Sequence, residues 1–306
     1  MWGEALRGDW WQAMSVMPAS PGAAAHFVVL FVSAMVAGAV NSVAGGGTLL
    51  TFPALLWTGR LENVANATST VALWPGQLSS LWGYRREIGR NHAAIAALAI
   101  PSLLGGGVGA LLLSHTSNAV FARLVPFLIL TATLLFAAQG TLSKLLLSRS
   151  SQEPKEYQNL EGSAPAKAVK APQYRLWTGI ALFQLLVAIY GGYFGAGIGI
   201  LMLAALGFMG FSDVHQMNGL KNINGLLINL VAITIFILAR TPPGQGTGPT
   251  HDHLVDWPIA LLMAAGSTLG GYAGSGIARR MGQQNVRRIV VAIGFGLTLS
   301  LLLRHV

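Results

Sequence analysis

Runs of apolar residues recur from Phe27 to Leu303, each cut short by a brief polar or glycine-rich stretch. Five runs, at 27–43, 48–57, 64–84, 93–113 and 120–142, precede a polar interval at 144–175, and five more follow at 176–190, 198–211, 214–239, 257–278 and 289–303. Most approach the roughly 20 residues needed to cross about 30 Å of hydrocarbon. Lipid offers no hydrogen-bond partner to an exposed backbone, so each run is predicted to be an α-helix. The interval at 144–175 holds nine of the 29 charges together with Pro154, Pro165 and Pro172. It is expected to be a flexible loop, because such a composition cannot bury a core.

The two sets of runs can be laid on each other. With an offset of 151, Gly46, Leu50, Ala54, Leu55 and Gly59 fall on Gly197, Leu201, Ala205, Leu206 and Gly210, and Glu62 meets Asp213. After an insertion at 241–254, an offset of 165 puts Ser102, Leu104, Gly105, Gly106, Gly109 and Arg123 on Ser267, Leu269, Gly270, Gly271, Gly274 and Arg288. The expected organisation is an N-terminal segment (1–26), a first membrane repeat (27–143), a linker (144–175) and a second membrane repeat (176–304).

Composition narrows the class. The chain is 53% hydrophobic and 9% charged, against about 25% charged in soluble domains, which excludes a water-soluble fold. The net charge of +9 would suit nucleic acid, but the basic residues sit in short flanks beside apolar runs and read as topology signals. With no cysteine, disulfides and thiolate metal sites are excluded. Residues 1–26 carry Trp2, Trp10 and Trp11 and lack a basic start and small-residue cleavage site, so the segment is expected to be retained.

Orientation follows the positive charges. Arg85, Arg86 and Arg90, the six basic residues of 144–175, and Arg279, Arg280, Arg287 and Arg288 mark three cytoplasmic connections. The connection around 114–119 and the one at 240–256, where Arg240 meets Asp252 and Asp256, belong outside. Equivalent connections of the two halves then lie on opposite sides, as in inverted repeats with an odd number of crossings each. Both termini would be external.

Two interruptions carry the chemistry. The run at 48–57 is too short to cross alone and joins its predecessor through Ala44-Gly45-Gly46-Gly47-Thr48. The second half repeats the feature as Gly191-Gly192-Tyr193-Phe194-Gly195-Ala196-Gly197-Ile198-Gly199. Glycine weakens helix at both places, so broken helical hairpins are predicted. A helix restarting after such a break aims free N–H groups at it, and two facing breaks would cradle an anion. The plain alternative is close helix packing, which is also the better account of Gly105, Gly109, Gly270 and Gly274.

Polar residues follow each hairpin: Asn63, Asn66, Thr68, Ser69 and Thr70 in one half, His215, Gln216, Asn218, Lys221, Asn222 and Asn224 in the other. Lys221 is eight residues beyond Asp213, about 12 Å deep if helical. An ammonium there is costly and is a functional candidate by default, snorkelling to the interface being the alternative. The candidate binding set is Asn41, Gly46, Gly47, Thr48, Asn66, Thr68, Thr70, Gly197, Gly199, Asn218, Lys221 and Asn222. Asp213 and His215 could relay protons, or Asp213 could simply cap the following helix. His251-Asp252-His253 reads as solvated loop, so no metal and no cofactor are expected. The absence of paired carboxylates, a nucleophile elbow, a Walker loop or an HExxH pattern argues against an enzyme or an ATP-driven pump.

Asn41-Ser-Val-Ala-Gly-Gly-Gly-Thr-Leu-Leu-Thr-Phe-Pro53, Asn66-Ala-Thr-Ser69, Gly195-Ala-Gly197-Ile-Gly199 and His215-Gln-Met-Asn-Gly-Leu-Lys-Asn222 resemble the TauE/SafE sulfite exporter family over nearly the whole chain. The resemblance implies an all-α polytopic protein of the cell inner membrane, a secondary transporter exporting sulfite or other sulfur-containing anions such as organosulfonates. Alternating access between two inverted repeats is the expected mechanism. A channel-like anion facilitator and a non-transporting membrane scaffold or intramembrane enzyme remain open. Expected partners are a small anion and the lipid bilayer, with a proton as candidate coupling ion, a homo-oligomer open and nucleic acid excluded.

Overall fold

The structure, a computed structural model, describes residues 21–43, 45–83, 92–150, 172–208, 214–239, 253–281 and 283–305. The expectations for Trp2, Trp10, Trp11, Arg85, Arg86, Arg90, Asp213, Arg240, His251 and Asp252, and for the side chain of His215, lie outside what is described. Ten α-helices are described: α1 (Pro21–Val43), α2 (Thr48–Trp57), α3 (Glu62–Gly83), α4 (His92–His115), α5 (Asn118–Ser150), α6 (Pro172–Tyr193), α7 (Ile198–Phe208), α8 (Val214–Leu238), α9 (Trp257–Met281) and α10 (Gln283–His305). Each grows from one predicted apolar run. Helix α5 continues to Ser150 and α6 begins at Pro172, so both ends of the expected loop at 144–175 are helical. Leu145-Leu146-Leu147 sustains the first extension, and proline is well suited to the first helical position, where its missing N–H is not needed.

Four helices contain stretches long and apolar enough to cross a membrane: Ala24–Ser42, Ile95–His115, Asn118–Ala138 and Gln216–Leu238. Between 28% and 50% of each stretch is buried within the protein, and the rest is partly or fully exposed. Val28, Ile100, Leu104, Phe127 and Leu238 are among the exposed apolar side chains, as expected of a surface solvated by lipid.

Contacts between the halves set the helix directions. Gly266 and Gly270 of α9 lie against Phe31 and Met35 of α1, so the two run parallel. Ser267 of α9 donates to the carbonyl of Ala72 in α3, Gly271 lies against Gly76, and α3 joins the same direction. In the other layer Gln184 of α6 bonds Ser102 of α4 at 2.9 Å, and Gly109 of α4 meets Tyr193 of α6. Ser102 also bonds Asn224 of α8, and Gly106 meets Ile228, so α4, α6 and α8 run together. Asn118, just past the end of α4, bonds Glu62 and the N–H of Asn63 at the start of α3. Helix α4 therefore ends where α3 begins, and the two sets are antiparallel. Each half enters the bundle in the opposite sense, and α1 packs with α9 as α6 packs with α4.

Glycine makes this packing possible. A Cβ on Gly270 would run into the main-chain carbonyl of Met35, and one on Gly109 into that of Ile189. A single hydrogen bond between membrane helices contributes only about 0.6 kcal/mol on average, so close backbone approach dominates this interface. Gly270→Val is expected to lower the unfolding temperature in detergent by well over 5 °C, read by intrinsic fluorescence of the purified protein, whereas Gly296→Ala, where a Cβ meets nothing, leaves it nearly unchanged.

Candidate functional site

Helix α1 ends at Val43 and α2 starts at Thr48. Helix α6 ends at Tyr193 and α7 starts at Ile198. Both expected breaks are present. Gly45 turns at φ +71°, and Gly195 and Gly197 at φ +78°, a left-handed conformation that only glycine adopts readily. Helix α2 folds back along α1, with Gly47 against Ala37 and Trp57 in ring contact with His26. Its ten residues span about 15 Å, half the hydrocarbon thickness, and bring the chain back toward the end at which α1 starts. The eleven residues of α7 do the same from the opposite face.

The two breaks meet. A Cβ on Gly45 would stand 2.8 Å from the Cα of Gly199, and one on Gly195 would stand 3.9 Å from the Thr48 hydroxyl. Helix α5 covers the pair, with Phe136 over Gly46 and Ala132 over Gly197. Asparagines then fasten each break to the other half. Asn66 of α3 donates to the carbonyl of Tyr193 at 2.9 Å, and Asn222 of α8 donates to that of Ser42 at 3.4 Å. Ser42 and Tyr193 are equivalent at the offset of 151, so each half holds the other's interrupted helix end by the same carbonyl.

Of the candidate residues, Gly46, Gly47, Thr48, Asn66, Gly197, Gly199 and Asn222 gather at the breaks. Asn41 flanks them, its Cβ facing Gly47. Lys221 is next to Asn222 along α8, only 2% exposed, and its ammonium donates to Asn218 at 3.0 Å. That amide oxygen is one of the groups that solvate the ammonium inside the protein. Burial answers the snorkelling alternative, since the ammonium is enclosed rather than spread on the surface. Two candidates point elsewhere. The Thr68 hydroxyl accepts the N–H of Asp256 at 3.0 Å, and the Thr70 hydroxyl donates to the carbonyl of Asn66 within α3.

One charged contact escaped the sequence reading. Arg60, beyond the end of α2, reaches Asp256 at the start of α9 at 3.0 Å and also donates to the Thr58 carbonyl. With Thr68 to Asp256 it ties first and second halves on the face where α3 begins, and Asn118 to Glu62 joins α5 to α3 within the first half on the same face. The partners are 196 residues apart, and nothing local in the sequence joins them. Thr51 and Ser69, 2.5 Å apart, similarly pin α2 to α3.

The family model for the sulfite exporter TauE/SafE matches residues 30–301, an interval that contains both breaks. The chain belongs to the sulfite exporter TauE/SafE family. A probable membrane transporter protein of Haemophilus influenzae is 30% identical over 275 residues, 88% of this chain and 92% of its own length. The probable membrane transporter protein YfcA of Escherichia coli K12 is 27% identical over 282 residues, 90% of this chain and 88% of its own. A probable membrane transporter protein of Sinorhizobium is 26% identical over 275 residues. No solved structure matches the chain significantly. As a TauE/SafE protein with several apolar helices, the chain is a multi-pass membrane transporter.

Proposed function

We propose that this TauE/SafE protein exports a small sulfur-containing anion, sulfite or an organosulfonate, by alternating access between two inverted repeats in the inner membrane. The observation that carries the reading is the meeting of two broken hairpins, one of them held by Asn222, the neighbour in sequence of the buried Lys221. Helix N-termini at Thr48 and Ile198 favour negative charge. The Lys221 ammonium attracts the anion, and the amides of Asn66, Asn218 and Asn222 with the Thr48 hydroxyl replace its hydration. The opposite running of α1 and α6 supports the inverted relation of the repeats, as does the positive charge of 144–175, which favours a cytoplasmic side for it. The membrane potential alone supplies about 2.3 kcal/mol per charge per 100 mV to an anion leaving a negative interior, so export needs no ATP. Coupling to a proton remains part of the proposal. Reconstituted protein is expected to give saturable sulfite or sulfonate flux that is stimulated by the same anion on the far side. Flux that grows without saturation or trans-stimulation would make it a channel-like facilitator instead, and no flux would remove the reading.

In this cycle Arg60 and Asp256 form the external gate. The chain has no cysteine, so Thr48→Cys gives one thiol at the break. A membrane-impermeant maleimide added outside is expected to leave it largely unmodified when Arg60 is present and to label it at least fivefold faster in Arg60→Ala. Equal rates would place the gate elsewhere.

A further inference from the structure

The carboxamide of Asn66 is 1% exposed and sits at the second break, where its Nδ2 donates to the Tyr193 carbonyl. That bond decides which end of the amide is which, since a carbonyl can only accept. Oδ1 must therefore point the other way, and it is buried without any partner. One turn earlier on α6, the Tyr190 hydroxyl is also buried and without a partner. Buried polar atoms are almost always satisfied, and orphans at a site call for a ligand that completes them. An acceptor is out of place in a cradle built for an anion: facing the lone pairs of a fully deprotonated oxyanion, it repels. A hydroxyl on the ligand removes the conflict by donating to Oδ1, while its remaining oxygens accept from Tyr190 and the other donors.

Resting on the transport reading above, we propose that Asn66 is a specificity-determining residue whose Oδ1 selects small monoanions that carry an O–H donor: a singly protonated oxyanion, or a sulfonate with a hydroxyl close to the charge. A site built to hydrogen-bond a substrate hydroxyl rejects the analogue that lacks it, because its own polar group is left unpaired.

The test compares two anions of equal charge and nearly equal shape, hydroxymethanesulfonate and ethanesulfonate, which exchange O–H for a methyl group. In proteoliposomes the hydroxyl-bearing anion is expected to be transported with a kcat/KM at least tenfold higher. In Asn66→Leu, of similar size but with no acceptor in its side chain, the ratio is expected to fall close to one. A ratio near one in the unaltered protein overturns the proposal whether or not the variant folds, and so does an undiminished ratio in Asn66→Leu. If neither anion moves, the transport reading fails and this inference goes with it.

Discussion

Lys221→Met is expected to reduce anion flux to that of protein-free vesicles while the protein stays folded. The lysine is almost wholly enclosed and donates to Asn218, so its charge is solvated by the protein rather than by water. Holding an ammonium at membrane depth costs about 2.5–3.5 kcal/mol on insertion scales. Methionine is also long and unbranched, and it fills much the same volume without that cost. The unfolding temperature of Lys221→Met in detergent should therefore equal or exceed that of the unaltered protein. Activity lost together with stability gained distinguishes a functional charge from a packing residue, and it is the pattern seen where sites retain costly groups for function. Monodispersity by gel filtration, thermal unfolding and sulfite flux on the same preparation check it. Flux that persists in this variant would remove Lys221 from the site.

Gly45→Ala is expected to be severely damaging, because the methyl group added at this break meets two penalties at once. The backbone there is left-handed, at φ +71°, which costs an L-residue about 1–2 kcal/mol. The added Cβ would also stand 2.8 Å from the Cα of Gly199, and main chain, unlike a side-chain tip, cannot swing aside. Gly59 separates the two effects. Its φ is +83°, but a Cβ there meets nothing within 4 Å, so Gly59→Ala should carry the strain alone. The expected order of unfolding temperature is unaltered protein, then Gly59→Ala a few degrees below, then Gly45→Ala far lower or not recoverable as a monodisperse species. Gly45→Ala should also lose transport, because the two breaks can no longer touch. Comparable behaviour of the two variants would mean that their contact matters little.

Much of this architecture is legible along the chain, because lipid removes most alternatives to helix. The short helix at Thr48–Trp57 is read to the residue, since a glycine run and a polar loop bound an apolar stretch too short to cross. The breaks are legible for the same reason. What local pattern cannot supply is partnership across the halves. Asn66 and Asn222 look alike as polar residues near a helix start, yet each reaches a carbonyl far along the chain. Thr68 looked like a ligand and instead accepts the N–H of Asp256, since a hydroxyl on α3 serves whichever neighbour faces it. Phe136, which covers Gly46, lies in a mostly apolar run in which nothing marks it off from the apolar residues around it. Helix ends also ran past the polar boundary after 143, because the leucines at 145–147 continue the helix where charge counting ended it.

The most direct measurement is an equilibrium titration of the purified protein with sulfite and short organosulfonates, followed by its thermal unfolding. A ligand that binds only the folded protein stabilises it, by about 2.7 kcal/mol at one hundred times its Kd. A saturable rise in unfolding temperature is expected for the unaltered chain and none for Lys221→Met. Equal rises in both proteins, or a rise with neither, would contradict an anion site at the paired breaks.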